Sequence, residues 1–218
     1  MQPVLYAHPF AAYCWKVLVA LYENHTAFTY RSLAADPDAT GELAALWPLK
    51  KFPLLVDQGR TVMESSVIIE YLTLRYPGPV PLIPADPEAV LEARLMDRCF
   101  DNYIMTPMSK IVTNQLRPED QRDGYGVDEA RAALDTAYRW LDAVMARRTW
   151  AAGENFTLGD CAAAPALFYA DWAHPIAPGF AHVRGYRSRL LERPSVVRVV
   201  DEARPFRQFF PLGAPERD

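Results

Sequence analysis

The sequence predicts two halves of different class, an α/β half built on a mixed sheet and then an all-α half. Three observations carry that prediction. Short β-type runs alternate with helical ones over roughly the first 76 residues, a proline-dense stretch follows, and every periodic segment beyond it is helical. The expected boundaries are 1–77 for the α/β half, 78–87 for the linker and 88–218 for the helical half.

Val4-Leu5-Tyr6 reads as the first strand, and Cys14 to Tyr22 as a largely buried helix through Trp15, Leu18, Leu21 and Tyr22. Ala27 to Leu33 alternates apolar and polar residues, as a half-exposed strand does. Residues 36–47 read as a helix or a loop. Leu54–Val56 and Thr61–Met63 flank Gln58-Gly59, a hairpin turn pair. Val67 to Leu74 then has apolar residues at helical spacing, which gives the order β-α-β-α-β-β-α. From Tyr76 to Pro87 the chain holds Pro77, Pro79, Pro81, Pro84 and Pro87, a density that continues neither a helix nor a central strand. A long helix is expected from Glu88 to about Val112, with Leu91, Leu95 and Cys99 four residues apart. Asp128 to about Arg147 places Ala130, Leu134, Ala137, Leu141 and Val144 on one face. Thr157-Leu158-Gly159-Asp160 is a capping-box variant opening a helix of small residues. Val183–Arg193 and Ser195–Ala203 complete the half.

A hydrophobic fraction of 50% and a charged fraction of 23% are those of a globular chain able to bury a sizeable core. The net charge of −4, with basic clusters no larger than Lys50-Lys51 and Arg147-Arg148, argues against nucleic-acid partners. No run approaches the ~18 apolar residues of a membrane span, and the N-terminus does not read as a secretory leader. Cys14, Cys99 and Cys161 are widely spaced and odd in number, which fits a reducing, cytoplasmic setting. No His-x-x-x-His or Cys-x-x-Cys pair, Gly-x-Gly-x-x-Gly or Walker-type loop is present, so neither a metal nor a nucleotide is expected.

The stretch Lys51-Phe52-Pro53-Leu54-Leu55-Val56-Asp57 with Glu64-Ser65-Ser66 is the candidate binding site. A proline opening a strand leaves backbone groups free beside it, and an aromatic residue before proline makes a cis bond plausible. Glu64 and Ser65 stand where a hairpin hands over to a helix N-terminus, an anion-binding position. Free backbone groups, a carboxylate, a hydroxyl and a positive dipole together suit a peptide-like ligand bearing both charges.

The whole of this pattern resembles the soluble glutathione transferases. The resemblance covers essentially the entire chain and implies a thioredoxin-like first domain, a helical second domain and a homodimer, with the helices from Ser66 and from Glu88 at the interface. It implies that Pro53 is cis, that Phe52 pairs through its backbone with the cysteinyl part of glutathione, and that Glu64-Ser65 takes the γ-glutamyl end. Lys51 falls where a basic side chain meets the glycine carboxylate, and Thr157 with Asp160 caps a helix important for folding. Glutathione is thereby expected as a substrate, in a detoxifying transferase.

Catalysis needs glutathione as its thiolate, and a free thiol of pKa about 8.5 is mostly protonated at pH 7. Family members supply a hydroxyl or a cysteine after the first strand, whereas this chain reads Ala11-Ala12-Tyr13-Cys14-Trp15, aligned to the Ser-Ser-Cys-Ser-Trp of the zeta-like type. Neither serine is present, and Ala11 also replaces the attacking cysteine of a Cys-Pro-Tyr-Cys pattern. The candidates left are the Tyr13 hydroxyl, Tyr6, Cys14, and the backbone N–H groups of Ala12 and Tyr13 at the helix start, with His8 nearby. One charge-assisted hydrogen bond is worth about 1.5–3 kcal/mol, or about 1–2 pKa units.

A hydrophobic acceptor is expected between the halves, against Phe10, Tyr103, Met105, Met108, Tyr169 and Trp172, with Arg98 and Lys110 available to an acidic one. The leading function is therefore transfer of glutathione to a hydrophobic electrophile. A glutathione- or ligand-binding protein with little turnover, a glutathione-dependent isomerase of maleylacetoacetate type, and a thiol oxidoreductase through Cys14 are the alternatives.

Overall fold

β1 (Val4–Ala7), β2 (Thr29–Ser32), β3 (Leu54–Asp57) and β4 (Arg60–Val62) form one sheet, ordered β2-β1-β3-β4, in the computed structural model, which describes residues 2–218. β1 pairs in parallel with β2 and antiparallel with β3, so the sheet is mixed as expected. The β3–β4 hairpin closes at Asp57 and Arg60, with Gln58 at φ 49° and Gly59 at φ 81°. Two successive left-handed residues match the twist of the flanking strands, which is why Gln-Gly was a usable signal.

α1 (Ala12–Glu23), α2 (Ala39–Leu46) and α3 (Ser65–Arg75) complete the first domain, and residues 36–47 thus contain a helix. α1 is buried from Cys14 to Leu21 because it packs against α3 of its own domain and against the helical domain as well. The proline-dense linker is held to the first domain by Asn24, whose Oδ1 accepts the Val80 N–H at 2.8 Å. Gly78 lies so close to the Asn24 side chain that a Cβ there would sit 2.4 Å from it.

The second domain contains α4 (Pro87–Cys99), a π-helical turn (Phe100–Met105), α5 (Thr106–Gln115), α6 (Gly124–Met145), α7 (Leu158–Ala173), α8 (Ala181–Leu191) and α9 (Pro194–Ala203), followed by a 3₁₀ segment (Arg204–Phe209). The single helix expected from Glu88 to Val112 is therefore interrupted. Pro107 has no N–H for the carbonyl of Tyr103, and the Thr106 N–H reaches back to the Asp101 carbonyl, a bond five residues long. α6 begins at Gly124 rather than Asp128, because the Asp123 side chain caps it through the Gly126 N–H at 2.7 Å.

α7 is the spine of the helical domain, buried along nearly its whole length. Its capping box is the one predicted: Asp160 accepts the Thr157 N–H at 2.8 Å, and its other oxygen accepts from Ala151 N–H and the Tyr186 hydroxyl. α1 packs on α7 across the domain boundary. The Trp15 indole donates to the Pro9 carbonyl at 2.6 Å while its ring lies against Phe168 and Tyr169. The Tyr169 hydroxyl donates to the Phe10 carbonyl at 3.0 Å, fixing the loop before α1.

Candidate functional site

Two clefts meet at the N-terminus of α1. The first, of about 400 Å³, is lined by Tyr13, Trp47, Lys51, Phe52, Pro53, Met63, Glu64 and Ser65. All five residues expected to hold glutathione thus share one cavity, and the Phe52–Pro53 bond is cis. Glu64 caps α3 in a left-handed conformation, φ 66°, which few non-glycine residues adopt and which recurs at functional sites. Ser65 follows as the first residue of α3, so its N–H belongs to the positive end of that helix. Lys51 is an exposed residue of the cleft wall and has no ion pair among the described residues.

The second cleft, of about 220 Å³, is apolar and is lined by Phe10, Ala12, Met108, Ser109, Val112, Thr113, Tyr169, Phe209, Phe210 and Pro211. Of the residues expected to meet an acceptor, Phe10, Met108 and Tyr169 line this cleft. Tyr103, Met105 and Trp172 do not. The π-helical turn turns Tyr103 outward, 60% exposed beside Cys99 and Trp140, and buries Met105 in the core. Trp172 packs behind the cleft against Phe168 and Phe210. Sequence reasoning missed Val112, one helical turn beyond Met108, and the tail residues Phe209, Phe210 and Pro211. The apolar run in that tail was the available signal.

Ala12 lines the apolar cleft and Tyr13 the polar one. Ala11 is the N-cap of α1 and gives no side-chain cap, so the first-turn N–H groups of Ala12 and Tyr13 have no partner among the described residues. Burial, with Asp101 and Glu64 nearby, pushes the Tyr13 phenol up to about 12. Such a phenol is protonated at neutral pH and so can donate a hydrogen bond into the cleft.

Cys14 corrects an expectation. It is fully buried, its sulfur accepts the His8 N–H at 3.4 Å, and desolvation pushes its thiol up to about 12, so it is a packing residue with no thiolate to offer. Tyr6 donates to Glu42 at 2.8 Å and belongs to the packing behind the sheet. Burial lowers the His8 imidazole from its ordinary pKa, and its ring lies edge-on to Phe206. Lys110 pairs with Glu129 at 3.3 Å, away from the apolar cleft.

Behind the polar cleft lies an ion cluster with no counterpart in the sequence reading. Lys16 is 1% exposed, and its ammonium meets Asp97 at 2.5 Å, Asp101 at 2.8 Å and Ser66 Oγ at 2.9 Å. Arg98 closes the cluster from outside onto both aspartates and onto Ser66. The cluster ties α1, α3 and α4 together next to Glu64 and Ser65. Among the described residues no group of three or more His, Cys, Asp or Glu side chains is placed to hold a metal ion.

Comparison with known proteins agrees with this geometry. Residues 5–80 match the family model of the glutathione S-transferase N-terminal domain, and residues 104–194 that of the C-terminal domain. A stringent starvation protein A homolog of Coxiella burnetii is 30% identical over 164 residues, 75% of this chain and 74% of that protein. A probable maleylacetoacetate isomerase of Caenorhabditis elegans is 24% identical over 207 residues, 94% of this chain and 95% of its own. Among solved structures, a glutathione S-transferase of Methylobacterium radiotolerans in complex with glutathione sulfonate is 28% identical, with a TM-score of 0.78, covering 92% of this chain and 95% of that one.

Proposed function

The chain belongs to the glutathione S-transferase family, and we propose that it holds glutathione in the polar cleft and directs the thiolate at a hydrophobic electrophile in the apolar one. The observation that carries this reading is the shared N-terminus of α1, where adjacent residues Ala12 and Tyr13 line the two clefts. Ser65 and the start of α3 take the γ-glutamyl carboxylate, Glu64 its amino group, Lys51 the glycine carboxylate, and Phe52 pairs with the cysteinyl backbone. The thiol proton passes to solvent. The sulfur lone pair then forms the S–C bond as the acceptor's leaving group departs with its electrons. The N–H groups of Ala12 and Tyr13 and the Tyr13 hydroxyl are the donors that stabilise the thiolate.

A second reading, a glutathione-binding protein with little turnover, is favoured by one observation: alanine stands at the α1 N-cap where a hydroxyl would serve. One experiment separates them. Binding to immobilised glutathione, reduced at least tenfold in affinity by Ser65→Ala, combined with turnover of an aryl halide supports the transferase. Binding without turnover of an aryl halide, a maleyl-type isomerisation substrate or a disulfide supports the second reading, and no binding at all overturns both.

Pairing with a second copy is part of the same proposal. Val67 and Leu74 on α3 and Leu91 and Leu95 on α4 are apolar and at least half exposed, on the two helices expected at the interface. No helix among the described residues is long and apolar enough to cross a membrane, and three unpaired cysteines support a reducing, cytoplasmic setting.

A further inference from the structure

A separate cavity of about 400 Å³ lies where the end of α7, the loop before α8, α8 and the C-terminal segment converge. Arg184, Arg187 and Arg217 line it together with Asp171, Ser188 and Asp218, and it shares no residue with either cleft described above. Its carboxylates are already engaged. Asp171 accepts the Ile176 N–H at 2.8 Å through one oxygen and the Arg217 guanidinium through the other. Asp218 is held by Arg204 at 2.6 Å and by Arg207 at 2.9 Å.

The guanidinium donors are in surplus. Arg187 Nη2 is buried and has no hydrogen-bond partner among the described residues. The nearest carboxylate oxygen, Asp171 Oδ2, is 3.4 Å away and already taken by Arg217. The Arg187 Nε donates to the Leu167 carbonyl at 3.3 Å, and Arg184 has a single contact, to the Ile176 carbonyl at 3.5 Å. Burial pushes the Arg187 guanidinium below its ordinary pKa, and Arg217 adds to the effect while Asp171 opposes it. A buried donor left without an acceptor carries its full desolvation penalty, and a buried charge needs a counter-charge.

We propose that this cavity is a binding site for a small oxyanion of charge two, a phosphate or a dicarboxylate, held by Arg184 and Arg187 with Ser188 as a further donor. Guanidinium forks match carboxylate and phosphate oxygens in geometry, and the side-chain carboxylates of Asp171 and Asp218 already have partners. The site sits on the helical domain and is independent of glutathione.

Titration calorimetry on the full chain, at fixed ionic strength in chloride, tests this with inorganic phosphate and with malonate as probes. Saturable binding of phosphate, weakened at least tenfold by Arg184→Glu, is the expected result for a phosphate-bearing ligand; the same result with malonate identifies a dicarboxylate. Arg184 is exposed, so Arg184→Glu should melt at the wild-type temperature, and Arg187→Met supplies a second loss of affinity where it folds. Arg131→Ala, an exposed arginine on α6, should bind both probes as the wild type does. No saturable binding of either probe overturns the proposal, as does equal affinity in Arg184→Glu and the wild type.

Discussion

Tyr13 carries the one side-chain hydroxyl among the thiolate donors proposed above, because alanine occupies both positions where a hydroxyl is expected before it. Its phenol is pushed up to about 12, so it is protonated near neutral pH and can donate in the proposed contact to sulfur. Tyr13→Phe should lower kcat about 10- to 100-fold, equivalent to one hydrogen bond to a charged group at about 1.5–3 kcal/mol. The KM for glutathione should change little, since the contacts proposed for Lys51, Glu64 and Ser65 remain. The pH dependence has a definite sign. kcat/KM should rise as the bound thiol ionises and stay level to about pH 10, because a phenol titrating near 12 remains a donor there. A fall between pH 8 and 10 in the wild type, absent from Tyr13→Phe, would show that the phenol ionises earlier and that the assignment is wrong.

At the scale of elements, α1 is fixed by a buried cation rather than by apolar packing alone. Lys16→Met keeps the length of the side chain and removes its charge, leaving Asp97 and Asp101 with the half-exposed Arg98 as their one cation among the described residues. Breaking a buried pair from one side costs about 3–5 kcal/mol. Urea unfolding should show that loss, and the KM for glutathione should rise because Ser66, bonded to Lys16, adjoins Ser65. The elements differ in how plainly the sequence announces them. Gln58-Gly59 and Thr157-x-x-Asp160 are local: turn and cap are specified by residues within four positions, so both were legible. The π-helical turn was not, because Pro107 only forbids one bond and the chain could have kinked instead. That single turn is why Tyr103 and Met105 were assigned to a cleft they do not line. Lys16 was unreadable for another reason, since its partners lie fifty and more positions away and nothing local marks a lysine as buried.

At the scale of the molecule, the candidate site is assembled from distant segments. Phe210 is buried on Trp172 and Tyr169 and walls the apolar cleft from the far end of the chain. Phe210→Ala should raise the KM for an aryl acceptor about tenfold, about 1.4 kcal/mol, and leave that for glutathione unchanged; a shift in both would mean that the tail supports the fold rather than the acceptor. The exposed leucines call for a partner by a similar argument. Leu95 is 52% and Leu91 59% exposed on one face of α4, one helical turn apart. In a lone chain, changing such a residue alters stability by no more than about 0.5 kcal/mol. In a pair of chains the same residue is buried, and a charge there is unpaired and desolvated. Leu95→Arg should therefore convert a two-chain species into single chains by sedimentation velocity while the far-ultraviolet dichroism stays that of the folded protein. If the wild type already sediments as one chain, α4 does not form a homodimer face and its apolar stripe needs another explanation.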